Sequence, residues 1–443
     1  MFTSNTEKQK RQMLASIGVS SFDKLLHHIP KEFLNPKFDL PQALNEIELK
    51  KHISSIACKN KKVLNFAGAG AYEHFIPSAV GALAGRGEFV TAYTPYQAEA
   101  SQGTLQAIYE FQSSICALFE MDAANASMYE AATALVESVK AAIKITSRQK
   151  VLLPEAIHPH YKKTLQTYFK NTPDIKFEEI PCPEGTIDIK ALDKLLGDAT
   201  ACVVLANPNF YGCIEDAELI SKKTHDNKSL LIAVVNPISL AILTPPGQYD
   251  ADFAIAEGQP MGNPLNYGGP YLGIFTCKKQ HIRHLPGRIC GITKDADGNR
   301  GFVLTLQARE QHIRRERASS NICSNEALCA LNAVIYLALL GPQGLKEVAQ
   351  INTENAHIAA EKISKLTKFK LKFDRPFFNE FVVECPDTAE KVQQALLEKN
   401  ILAGVAMDKF NKNLSNNLLI CVTETKSEKD IDKLVLALKD FQK

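Results

Sequence analysis

From about Val63 to residue 325, short apolar runs alternate with segments whose apolar side chains recur every three or four positions. That alternation predicts strands of a mostly parallel sheet with helices packed on both faces. Strands are expected near 150–153, 175–180, 201–205, 230–235, 252–256 and 271–276, and helices near 77–84, 103–120, 127–146, 157–170, 190–196 and 215–226. Before this region, KQKRQMLASIGV and SFDKLLHHIP read as helical pieces broken by Pro30, Pro36 and Pro41, an arm or cap. After it, the apolar run Ala327–Leu340 ends in GPQG, a helix stop too early for a bilayer span. A second helix follows, then FVVEC, a helix through VQQALLEKN, ILAGVA and LLICVTE. The last helix takes Ser427 as N-cap and sets Ile431, Leu434, Val435 and Leu438 on one face. The expected organisation is a helical arm over 1–60, a large α/β domain over 61–325, and a linking helix with a small α+β domain over 326–443.

Composition narrows the function class. The 443 residues are 45% hydrophobic and 23% charged, enough for large cores in two or three domains. A formal charge of +2 provides no global field for nucleic acid or an acidic membrane, so neither is expected as a partner. Eleven cysteines without a CxxC pair, and a polar N-terminus, MFTSNTEKQKRQML, suit a reducing cytoplasm. No spacing of His and Cys suggests a metal site, and the HPH of His158 and His160 reads as structural.

Several motifs carry candidate chemistry. LNFAGAGAYEHFIP holds Gly68 and Gly70, but Glu73 breaks a dinucleotide fingerprint, so a shaping turn is the better reading. TAYTPYQAEASQG presents Tyr93, Thr94, Tyr96 and Gln97 around a proline-fixed turn, where they are able to hydrogen-bond a small ligand. MDAANASMYEAATAL opens a helix whose first turn, at Asn125, Ala126 and Ser127, is able to cradle a phosphate; Met128 and Tyr129 argue instead for a filled, capped helix start. In the arginine-rich stretch 284–328, Arg309, Arg314, Arg315 and Arg317 beside Ser319, Ser320 and Asn321 are either a solvated face or a site for a carboxylate or acidic partner.

The strand, turn, Gly-Pro loop and strand of YDADFAIAEGQPMGNPLNYGGPYLGIF resemble the part of a pyridoxal-phosphate enzyme that carries its Schiff-base lysine. Gln259 stands at that position, and an amide cannot form an imine. No lysine occurs between Lys228 and Lys278. The strand LLIAVVNPISLAIL has no acid to pair with a pyridinium nitrogen; Asp226 precedes it, and Asp250 and Asp252 come late. With the crowded helix start, three expected cofactor contacts are missing together.

The strings AGAGAYEHFIPSAV, TAYTPYQAEASQGTLQAIYEFQ, NPNFYG, GQPMGNPLNYGGPYLG and RASSNICSNEAL cover nearly the whole chain. They resemble the alpha subunit of the glycine cleavage system P-protein in its split bacterial form. The resemblance implies the aspartate aminotransferase type of pyridoxal-phosphate fold (fold type I). It also implies a heterotetramer with a beta subunit that bears the lysine and the cofactor, so that this chain binds none covalently and is inactive alone. Glycine would be decarboxylated and its aminomethyl group passed to the lipoyl arm of the H-protein. Residues expected nearest the partner's site are Tyr93, Thr94, Tyr96 and Gln97, then Arg317, Ser320 and Asn321. Two rivals remain: pyridoxal phosphate held here without a Schiff base or through Lys278, and a docking subunit that only recruits the H-protein.

Overall fold

The computed structural model describes residues 4–34 and 36–441. The chain forms two compact units, Met1–Lys61 and Lys62–Lys443. The first contains the helices Glu7–Ile17 and Glu46–Ala57. Each begins with a reciprocal capping box, Thr6 with Gln9 and Asn45 with Glu48, which satisfies amide groups the helix itself leaves open.

In the second unit a seven-stranded sheet runs in the order Ala123–Ala124, Gly273–Cys277, Phe253–Glu257, Leu230–Val235, Thr200–Asn207, Lys150–Pro154, Lys176–Ile180. The last five strands are parallel; Gly273–Cys277 runs antiparallel to Phe253–Glu257. Thr200–Asn207 is buried along its full length, as expected for a strand covered on both faces. Its alternate residues divide between two cores: Val203 and Leu205 join Phe111, Ile115 and Phe119 of the helix Gln102–Phe119, while Cys202, Val204 and Ala206 join Leu135, Val136 and Val139 of the helix Ala131–Thr146.

A four-stranded antiparallel sheet, Lys370–Leu371, Glu380–Glu384, Asn417–Cys421 and Val405–Ala406, carries the helices Ala389–Glu398 and Glu428–Phe441. The Ser427 hydroxyl accepts the Asp430 amide at 3.3 Å, and Ile431, Leu434 and Leu438 are buried as the sequence spacing requires. The helix Ala327–Ser364 is long and apolar enough, by length and composition, to match a membrane span. It breaks at Gly341 (φ 61°, ψ −177°) before Pro342, and Leu331, Val334 and Tyr336 pack into the main core.

One helix differs from expectation. It starts at Ala131, not near 127, because the Met128 amide and carbonyl bond Gly273 at 2.7 and 3.1 Å and hold the preceding segment against the sheet edge. Ser127 there has φ 128°, outside any helix.

Candidate functional site

The parallel strands Thr200–Asn207, Leu230–Val235 and Phe253–Glu257 end at Pro208, Asn236 and Gly258, and the crevice beyond such strand ends is where open α/β sheets hold ligands. Gln259 lies there, 1% exposed. Its Oε1 accepts the Tyr72 amide at 2.9 Å, and its Nε2 donates to the carbonyls of Tyr72 (3.0 Å) and Asn263 (2.8 Å). The side chain therefore pairs with both backbone groups of one residue and is fully used.

Where a cofactor's phosphate would meet a helix N-terminus, the chain supplies its own carboxylates. Glu257 accepts the amides of Leu272 (2.9 Å), Gln259 (3.0 Å) and Ala131 (3.2 Å), the last being the first residue of its helix. Glu130 caps the same helix through the Thr133 amide at 2.8 Å. Asn125, Ala126 and Ser127 precede the helix, and the amides of Ala131 and Thr133 in its first turn are held by the chain's own carboxylates. Asn236, at the end of Leu230–Val235, offers an amide where a pyridinium partner would need a carboxylate.

The remaining cavity is about 70 Å³, lined by Tyr72, His158, Tyr161, Phe210, Glu257 and Glu380 among others. Pockets for small organic ligands run roughly 300–1,000 Å³. Gly70 brings the overlying loop in close; with φ 96°, a Cβ there would come within 2.7 Å of His158 Nε2. His158 Nε2 lies 2.8 Å from the Ala69 carbonyl and its Nδ1 lies 3.1 Å from the His160 amide, which fixes a neutral ring protonated at Nε2. Burial pushes its pKa down to about 4. The ring stacks on Tyr161 at 4.6 Å and meets the edge of Phe210 at 5.0 Å.

Two buried carboxyls face this space. Burial raises Glu257 to about 8 against the pull of the backbone amides, and Glu380, which accepts the Ala69 amide and the Tyr72 hydroxyl at 2.7 Å each, to about 7. A carboxyl whose folded pKa lies above its unfolded value binds protons more tightly in the native state, so stability falls as pH rises from about 4.5 through 7 to 8. Urea unfolding between pH 5 and 8 should reveal this slope, since a tenfold difference in proton affinity between folded and unfolded chain is worth about 1.4 kcal/mol. The double variant E257Q/E380Q, which keeps an acceptor oxygen at each place, should flatten it; an unchanged slope would assign the pH dependence elsewhere.

The other candidates gather on a separate surface. Tyr93 is 84% exposed and Tyr96 57%, with Gln97 exposed and Thr94 half-buried. Tyr93 lines an apolar groove of about 270 Å³ with Val90, Pro95, Ser324, Asn325 and Leu328. Behind it lies Arg288, 3% exposed. Its guanidinium donates to the Cys323 carbonyl (2.7 Å), the Ser324 hydroxyl (3.1 Å) and the Tyr96 hydroxyl (3.3 Å), and His312 meets the Tyr96 ring edge-on at 5.9 Å. Arg288 Nε and Glu310 Oε1 are buried without a hydrogen-bond partner among the described residues. Orphans of this kind call for an explanation.

Arg288, Ser324 and His312 were missed by sequence reasoning, which scanned for exposed clusters; the only signal was that PGRIC and SSNICSN are both Gly-, Ser- or Asn-rich turns. Arg309 is corrected: two of its guanidinium nitrogens donate to the carbonyls of Leu285 and Gly287, and its Nε is buried, so it offers no exposed fork to a carboxylate. Arg317 is exposed with Glu316 at 3.7 Å, Ser320 is buried with its hydroxyl accepting the Ile322 amide at 3.2 Å, and Asn321 is exposed. Asp252 lies at the opposite end of the sheet from Gln259, holding the Leu231 amide, His225 and Lys278. Lys278, bound there to Asp250 and Asp252, is equally remote.

Solved structures with this architecture include a NifS-like protein (13% identity, TM-score 0.64, 86% of this chain and 99% of that one) and a C-DES mutant with glycine linked to its pyridoxal-phosphate cofactor (16%, 0.62, 87% and 98%). The fold is therefore that of the fold type I pyridoxal-phosphate enzymes. The glycine cleavage system P-protein family matches over residues 1–438, and the chain belongs to that family. It is 49% identical to a probable glycine dehydrogenase (decarboxylating) subunit 1 of Desulfitobacterium hafniense over the whole of both chains, and 48% identical to that of Moorella thermoacetica over 98% of each. A crystal structure of inhibitor-bound glycine decarboxylase (P-protein) superposes with TM-score 0.91 at 41% identity, covering 99% of both chains.

Proposed function

We propose that this chain is the subunit of a glycine-decarboxylating enzyme that holds no pyridoxal phosphate itself and completes the site of a homologous second chain that does. The observation that carries this reading is the occupation of its own crevice: Gln259 is paired with Tyr72, Glu257 takes the first amide of the helix Ala131–Thr146, and about 70 Å³ remains. The names of its full-length relatives support glycine as substrate and a two-chain enzyme. The cofactor, on the partner, supplies an electron sink for the bond broken when carbon dioxide leaves. This chain's share is positional. The Tyr93–Gln97 turn, with Tyr96 held by Arg288, presents hydroxyl and amide groups at an exposed surface. Arg317, Ser320 and Asn321 precede in sequence the Cys323–Ser324 turn that Arg288 binds. The assembly is read as two alpha and two beta chains, and the acceptor of the aminomethyl group as the lipoyl arm of the H-protein.

Mixing tests the reading. Glycine-dependent carbon dioxide exchange, with H-protein and cofactor, should appear only when both subunits are present, and this chain should stay colourless with pyridoxal phosphate. Y96F, which removes one hydroxyl and spares the fold, should lower exchange roughly 10-fold while the complex still forms. Exchange by this chain alone, or a borohydride-stable adduct on Lys278, would refute the division of labour. Capture of lipoylated H-protein by this chain alone, with full exchange in Y96F, would favour a docking role.

A further inference from the structure

The space left in the crevice has a chemistry of its own. Glu257 and Glu380 line it from different sheets, 8% and 5% exposed, and among the described residues neither has a Lys, Arg or His within ion-pair distance. Their partners are neutral donors: three amides for Glu257, one amide and the Tyr72 hydroxyl for Glu380. An ionised carboxyl has about four acceptor positions, so each keeps some capacity open. Burying a carboxylate without a cation is unfavourable, and burial accordingly raises both groups, to about 8 and about 7. A protonated amine between them would offset that cost.

The same cavity carries donors without acceptors. Asn236 Oδ1 accepts the Ile238 amide at 3.0 Å, while no described residue accepts from its Nδ2 or from the Tyr161 hydroxyl. Tyr161 is set in place by stacking on His158, and Phe210 and Val234 complete the lining with apolar surface. Such a lining discriminates among ligands. An anion would face two carboxyls, and a simple cation would leave the Asn236 and Tyr161 donors unused, whereas a zwitterion uses both sets. At roughly 10–15 Å³ per water-sized group, the cavity of about 70 Å³ takes about five to seven non-hydrogen atoms. That is too few for a pyridine ring with its phosphate and enough for a small amino acid.

We propose that this crevice is a binding site for a small α-amino acid zwitterion of glycine size, its ammonium held by Glu257 and Glu380 and its carboxylate by Asn236 and Tyr161. This rests on the reading above that the chain holds no pyridoxal phosphate, and adds a site for the substrate's own class of molecule on the chain that lacks the lysine. A ligand there ties Glu257, the last residue of Phe253–Glu257 in the seven-stranded sheet, to Glu380 of the four-stranded sheet. The amino-acid level then sets how firmly the two sheets are joined.

Titration calorimetry of the full-length chain on its own, with glycine and without pyridoxal phosphate, tests it. Glycine should give a saturable one-site heat, and about 10 mM glycine should raise the melting point by several degrees. Methylammonium and acetate, which each carry one end of the zwitterion, should bind roughly 10-fold more weakly, and leucine should not bind. Y161F should weaken glycine roughly 10-fold and leave methylammonium unchanged, whereas E380Q should weaken both. Melting points of the unliganded variants report their folding, and N236D, isosteric and repelling to the ligand's carboxylate, replaces either one that melts early. No heat with glycine on the wild-type chain would overturn the site and leave the division of labour intact. Methylammonium as tight as glycine, with no effect of Y161F, would overturn the zwitterion in favour of a bare cation. Glycine uptake only together with pyridoxal phosphate, in a coloured complex, would refute the division of labour and this site with it.

Discussion

Replacing Gln259 with lysine should cost the chain about 2–4 kcal/mol and still yield no Schiff base with pyridoxal phosphate. The Gln259 amide both accepts from and donates to the backbone of Tyr72 and also donates to Asn263. Lysine is able to donate but has no acceptor, so Q259K strands the Tyr72 amide and buries an ammonium group. Nor does the amine restore a site, because Glu257 still occupies the first amide of the helix and Asn236 still stands for an acid. Urea unfolding reads the stability, and borohydride reduction with peptide mapping reads any adduct. A stable Q259K that becomes labelled at position 259 would mean that one substitution, not a rebuilt crevice, separates this chain from a cofactor-bearing one.

The second large effect is expected at Arg288. Its buried guanidinium ties Tyr96 to the Cys323–Ser324 turn. R288A should lower kcat of the reconstituted two-chain enzyme on the order of 100-fold, since small misplacements of positioning groups carry costs of that size. Addition of guanidinium ion should restore part of that rate, which a merely structural loss would not allow. Wild-type kcat in R288A would remove the Tyr93–Gln97 surface from the catalytic assembly.

Much of the architecture was legible because the signals are local. The five parallel strands fall within about two residues of expectation, since runs such as LLIAVV, buried on both faces, have no other way to satisfy their backbone. The C-terminal helix followed from Ser427 and its apolar spacing. Failure came at 127–130, where the apparent helix start is consumed by a bridge from Met128 to Gly273, a partner 145 positions away that no local pattern signals. Arg309 misled for the same reason: its apparent availability depended on carbonyls at Leu285 and Gly287 that the tertiary structure brings back onto it.

The identity of Gln259 was a fact of the sequence alone: an amide cannot become an imine, whatever surrounds it. The family strings likewise determined the class of chain without any geometry. Only the tertiary structure decided whether the crevice was emptied or filled. It is filled, by Glu257 on the first helix amide, by the Gln259–Tyr72 pairing, and by His158 under Gly70, because groups separated by 88 to 187 positions meet there. It also decided where the N-terminal unit is helical: the sequence reads as helical pieces broken by prolines, whereas the capped helices are Glu7–Ile17 and Glu46–Ala57. Capping is written within four residues; covering a face requires a surface that the helix does not encode.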